Sequence, residues 1–126
     1  MPELPEVETI KRRLQERILN KTIAVVQVHH SKSFQGNSAV LINRKIVAIT
    51  RQAKILQLKL NSNLTILVHL KMTGQLILQP VTGERIGGGH PTADWVANLP
   101  SSHTRVSIIF IDGDKLFFND QRVFGW

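Results

Sequence analysis

Ile55-Leu-Gln-Leu-Lys-Leu-Asn-Ser-Asn-Leu-Thr-Ile-Leu-Val-His-Leu70 decides how this chain folds. Apolar residues recur at every second position in Ile55–Leu60 and again in Leu64–Leu70. A period of two is that of a half-buried β-strand, because successive side chains point to opposite faces. Asn61-Ser62-Asn63, between the two runs, has the chemistry of a tight turn, so the stretch reads as a β-hairpin.

The same period continues on both sides. Thr22 to His29, Lys45 to Thr50, Gln75 to Leu78, Val106 to Ile111 and Leu116 to Asn119 are further short strands, and Asp112-Gly113-Asp114 is a second hairpin turn. Before them the period changes. From Pro5 to about Asn20, Val7, Ile10, Leu14 and Ile18 recur at three- and four-residue spacing, while Lys11, Arg12, Gln15 and Glu16 fall on other faces. That pattern predicts an amphipathic helix with Pro5 in its first turn and Asn20 as its stop. The fold class is therefore α+β and β-rich: a two-layer antiparallel β-sandwich, or a flattened barrel, with an N-terminal amphipathic α-helix. Pro80 to Ser102 stands apart. It carries Gly83, Gly87, Gly88, Gly89, Pro91 and Pro100 with little periodicity, and is expected to be a mobile surface loop, with Trp95 either pinning it to the body, the favoured reading, or exposed for contact.

A chain of 126 residues is expected to form one compact domain. It contains no cysteine, which excludes a disulfide framework and a thiolate metal site. The first residues have neither the basic nor the apolar region of a signal peptide, and no apolar run reaches membrane-spanning length, so a soluble cytoplasmic or otherwise intracellular protein is expected. His29 and His30 are adjacent and face opposite sides of a strand; with His69 and His90 they show no ligand spacing, and no metal site is expected. Charge is more informative. The formal net charge is +7, and no carboxylate occurs between Glu16 and Glu84, a span that holds Arg17, Lys21, Lys32, Arg44, Lys45, Arg51, Lys54, Lys59 and Lys71. Such one-sided patterning favours a polyanionic partner, nucleic acid above all.

Met-Pro-Glu-Leu-Pro-Glu opens the chain. If Met1 is trimmed, Pro2 becomes a secondary amine with a pKa near that of an α-amine, about 8, so roughly a tenth is neutral at pH 7. A secondary amine condenses with an aldehyde to a cationic iminium, which acidifies the adjacent carbon and prepares an elimination. Glu3 is one peptide bond away, and Glu6 lies near the helix start, where phosphate is also favoured. The other reading is a plain helix start, with acidic residues complementing the dipole and Pro5 fixing the first turn.

The opening decapeptide MPELPEVETI, then Arg51-Gln-Ala-Lys54, His69-Leu-Lys-Met-Thr-Gly74, His103-Thr-Arg-Val and Asp120-Gln-Arg-Val-Phe-Gly125 resemble, in order and spacing, the N-terminal catalytic domain of the formamidopyrimidine-DNA glycosylase and endonuclease VIII family. The resemblance spans essentially the whole chain, and the decapeptide is its most specific part. It implies excision of oxidised bases from double-stranded DNA: the damaged nucleotide is flipped out, the base displaced at the sugar C1′, and the strand cut by elimination through a Schiff base. By position it implies Pro2 as nucleophile, Glu3 as the acid/base that assists ring opening, Glu6 as a proton shuttle, and Lys54 in elimination and phosphate contact. Met72, Arg122 and Phe124 match the residues that fill the vacated stack, and His103 and Arg122 match DNA-contacting positions. Taken alone, Lys54 reads as a solvated strand end and Met72 and Phe124 as core residues.

The chain departs from the family pattern at several places. Gln121 and Val123 replace a proline and often a basic residue, Lys71 replaces a glycine, and Arg105 replaces a frequent histidine. Lys71 and Arg105 keep or add positive charge, so binding is expected to survive, whereas Val123 removes a charge beside the stack-filling residues. Family members continue into a helical domain with a helix–two-turn–helix motif and usually a zinc finger; the chain is expected to be the first half of such an enzyme. It would accordingly hold no cofactor itself, bind damaged or abasic duplex DNA, and act as a monomer. A non-catalytic nucleic-acid-binding module of the same fold is the alternative. A tautomerase with an N-terminal proline ranks last, because a helix rather than a strand follows the proline.

Overall fold

The computed structural model of the chain describes residues 4–29, 36–53, 55–70, 74–83, 85–89 and 104–120, with residues 4–6, 87–89 and 120 described by their backbone alone. Helix α1 (Leu4–Ile18) buries Val7, Ile10, Leu14 and Ile18, the stripe that the three- and four-residue spacing predicts. It stops where expected. Asn20 adopts a left-handed φ of 69°, which asparagine tolerates, and its N–H donates to the Ile46 carbonyl at 2.7 Å.

Among the described residues eight strands follow: β1 (Ile23–Val28), β2 (Ile46–Gln52), β3 (Ile55–Leu60), β4 (Thr65–His69), β5 (Gly74–Gln79), β6 (Ile86–Gly89), β7 (Thr104–Phe110) and β8 (Lys115–Asp120). They form a three-stranded sheet in the order β2-β3-β4 and a five-stranded sheet in the order β1-β7-β8-β5-β6, with antiparallel pairing throughout. The deciding hairpin is present: Leu56 pairs with Val68 and Leu58 with Ile66, and Ser62 and Asn63 turn the chain at φ of 67° and 61°. At the second turn Gly113 has φ 95°, and Asp112 accepts the Asp114 N–H at 3.0 Å.

The core lies between the sheets. Leu56, Leu58 and Leu60 of β3 face Leu76 and Leu78 of β5, Val106, Ile108 and Phe110 of β7 and Leu116 of β8. Helix α1 packs on β2 and β6 and closes that flank. Asn37 caps a short 3-10 turn (Ser38–Leu41), which inserts Leu41 into the same core and has no counterpart in the strand-by-strand reading of the sequence.

One expectation needs correction. Part of the supposed loop from Pro80 to Ser102 is strand β6, with Ile86 opposite Leu78 and Gly89 opposite Gln75. Gly87, Gly88 and Gly89 have low β propensity, and β5 supplies the ladder that a local pattern cannot reveal, while α1 lies against that strand. Trp95 and the rest of that segment lie outside the described residues. Arg105 differs as well. The expectation was that it keeps or adds positive charge; it is only 8% exposed, in a strand whose residues Thr104–Ile108 are all buried.

Candidate active site

Antiparallel pairing sorts the strand ends, and many of them meet at one end of the sandwich. In the three-stranded sheet Gln52, the last residue of β2, pairs with Ile55, the first of β3, and Ile55 pairs with His69, the last of β4. The chain then crosses to the other sheet: the Gly74 N–H donates to the Leu70 carbonyl at 2.8 Å. A Cβ at position 74 would collide with that carbonyl, so glycine is what permits this close approach. Across the five-stranded sheet Gly74 pairs with Asp120, the last residue of β8, and Asn119 pairs with Thr104, the first of β7. The Thr104 hydroxyl donates to Asn119 Oδ1 at 2.7 Å, a buried bond that fixes those two ends together.

Helix α1 delivers its N-terminus to the same end. Its C-terminal side is tied to the start of β2 through Asn20 and Ile46, so it runs antiparallel to β2. Near its start Glu8 accepts from Arg51 at 2.9 Å, one residue before β2 ends. Glu8 also accepts from Arg12 at 2.9 Å and pairs with Lys11 at 3.2 Å. The Arg51 hydrogen bond, reinforced by Lys11 and Arg12, lowers the Glu8 carboxyl to a pKa of about 2.

The opposite end carries a different cluster. Lys21 pairs with Asp112 and, at 2.8 Å, with Asp114, which ties the exit of α1 to the β7–β8 turn. Burial pushes the Lys21 pKa down, but the two carboxylates outweigh it and the net direction is upward; the hydrogen bond from Lys21 lowers Asp112. Two of the described carboxylates thus share one lysine far from the converging ends.

Of the residues singled out in the sequence, Pro2, Glu3, Lys54, Met72, His103, Arg122 and Phe124 lie outside the described residues, and Glu6 is described only by its backbone, in the first turn of α1. In sequence, however, each adjoins an element end named above. Pro2 and Glu3 precede Leu4, Lys54 lies between Ala53 and Ile55, and Met72 between Leu70 and Gly74. His103 precedes Thr104, and Arg122 and Phe124 follow Asp120. Sequence reasoning missed the Glu8–Arg51 pair, although Arg51 stands in a quoted motif; the partners are 43 positions apart, and no local pattern joins them. An apolar cleft of about 500 Å³ opens between the sheets beside Leu58, Ile66, Val68, Val106 and Leu116. Among the described residues no cluster of three histidine, aspartate or glutamate side chains could hold a metal ion.

A helix-flanked sandwich that gathers its strand ends in this way matches, over residues 1–126, the family described as the formamidopyrimidine-DNA glycosylase N-terminal domain. The chain is 37% identical over 132 residues to the formamidopyrimidine-DNA glycosylase of Mycobacterium leprae, and 36% identical over 129 residues to that of Ligilactobacillus salivarius. Both alignments cover 99% of this chain and 41% of the relative, so the chain spans about two fifths of the length of these relatives. Among solved structures it resembles Lactococcus lactis Fpg in complex with abasic-site DNA, with a TM-score of 0.75 at 25% identity over 97% of this chain and 41% of that one. It also resembles the wild-type L. lactis protein bound to DNA containing an oxidised pyrimidine, with a TM-score of 0.76 at 25% identity over 98% of this chain and 42% of that one. The chain belongs to the formamidopyrimidine-DNA glycosylase family.

Proposed function

We propose that this chain is the catalytic half of a bifunctional DNA glycosylase and AP lyase that removes oxidised bases from duplex DNA and then cuts the strand. In this reading Met1 is removed, because an amide nitrogen has its lone pair delocalised and cannot condense. The freed Pro2 amine attacks C1′ of the damaged nucleotide and the base leaves. Glu3 protonates the ring oxygen as the sugar opens, giving an iminium between Pro2 and C1′. Loss of a C2′ proton then expels the 3′ phosphate, with Lys54 assisting elimination and holding phosphate and Glu6 relaying protons. Met72, Arg122 and Phe124 fill the stack that the flipped nucleotide leaves, and His103 and Arg122 bind the backbone.

One observation carries the reading. The described ends of α1, β2, β3, β4, β5, β7 and β8, from which all these residues depart in sequence, converge at one end of the sandwich. Two further facts support it: the net charge of +7 suits a polyanion, and the resembling L. lactis structures hold abasic or oxidised DNA. The test is strand scission. The complete polypeptide encoded by the gene should nick a duplex at a single abasic site and leave the unsaturated sugar fragment of β-elimination. Binding to that duplex without nicking, and with no preference over undamaged DNA, would instead identify a non-catalytic module.

A further inference from the structure

Arg51 makes contacts on two sides. Its Nε donates to Glu8 Oε1 at 2.9 Å, and its Nη1 donates to the Ala53 carbonyl at 3.1 Å. Ala53 is a non-glycine residue in the left-handed region, at φ 52°, a conformation that persists only where surrounding contacts hold it. It directly precedes Lys54. The other Glu8 oxygen is engaged by Lys11 and Arg12, which steadies the carboxylate from the helix side. One guanidinium therefore connects the early part of α1 to the residue that leads into Lys54.

Stability alone is a poor account of this network. Arg51 and Glu8 are 28% and 24% exposed in their side chains, and partly exposed ion pairs contribute little to folding. Geometry is what such a planar fork supplies, since two directed bonds fix an orientation that a point charge would not. We propose that Arg51 and Glu8 are positioning residues, which set the separation between the start of α1, next to Pro2 and Glu3, and the Gln52–Ile55 connection in which Lys54 lies. The inference rests on the reading above, in which Pro2 and Lys54 act on one sugar. The low pKa of Glu8 keeps the pair charged across the neutral range.

The test uses single-turnover cleavage of an abasic duplex by the complete polypeptide at saturating DNA, with duplex affinity and melting temperature measured alongside. Glu8→Gln and Arg51→Met should each slow cleavage about 10- to 100-fold, the effect of roughly an ångström of misplacement, while affinity changes less than about threefold. The double variant should be no slower than the slower single, since both break one contact. Arg51→Lys and Glu8→Asp, which retain charge but not the fork or its reach, should fold and still be slow. Three results overturn the inference: cleavage at the wild-type rate in folded variants, losses that multiply in the double variant, or an Arg51→Met defect confined to affinity and restored by Arg51→Lys. If wild-type protein forms no borohydride-trapped adduct, the underlying reading fails and takes this inference with it. If wild-type is trapped and the variants cleave equally fast, this inference alone fails.

Discussion

Glu8 is the described side chain whose charge is most strongly governed by its neighbours. Its carboxyl is lowered from 4.5 to about 2, first by Arg51 and then by Lys11 and Arg12. A depressed folded-state pKa gives stability that is present above 4.5 and lost as pH falls through about 2. Denaturation midpoints measured across that window should fall less steeply in Glu8→Gln than in wild type. Lys21 has the opposite sign. Its pKa is raised above 10.5, so the stability it contributes is present below that value and lost as pH rises beyond it, and Lys21→Met should flatten the alkaline limb of the same profile. Neither pair was legible in the sequence: Asp112 and Asp114 read there as turn formers, and no local pattern joins Glu8 to Arg51. By contrast, roles for Pro2 and Glu3 can be argued from residue type, and that of Lys54 only from the family resemblance; the test of those roles is chemical.

At the scale of elements, periodicity read well wherever one face is buried. The Ile55–Leu60 strand has the same bounds in sequence and structure, and α1 buries the four residues that its spacing selects. Leu14 is fully buried, and Leu14→Ala should cost about 2–5 kcal/mol in denaturant unfolding. Reading was harder where burial is two-sided. In β5 Gln75, Leu76, Ile77 and Leu78 are all buried, so alternation marks the strand only weakly, and the observed span extends one residue beyond the expected one at each end. β6 was missed because three glycines carry no pattern, and its existence depends on the neighbour β5. Gly74 joins the two sheets. Gly74→Ala should destabilise by about 1–3 kcal/mol, because the Leu70 carbonyl would have to move, and a lowered denaturant midpoint with unchanged slope would show it.

The whole molecule carries a formal net charge of +7. Positive charge dominates between Glu16 and Glu84, while Asp112 and Asp114 are paired with Lys21 at the end away from the converging strands. Binding to duplex DNA should therefore weaken steadily with salt, the logarithm of affinity falling linearly with that of salt concentration. A salt-independent affinity would contradict an electrostatic interface. No helix among the described residues is long and apolar enough to cross a membrane. The topology was legible only in outline: a helix and antiparallel strands follow from local periods, but the strand order β1-β7-β8-β5-β6 depends on pairings far apart in sequence.

The central claim is that a free Pro2 amine bonds to deoxyribose, and borohydride trapping tests it most directly. Incubating the complete, methionine-trimmed polypeptide with abasic duplex and borohydride should reduce the iminium to a stable amine, with peptide mapping by mass spectrometry placing the sugar on residue 2. A cross-link that maps to a lysine, or no cross-link from trimmed protein, would contradict it.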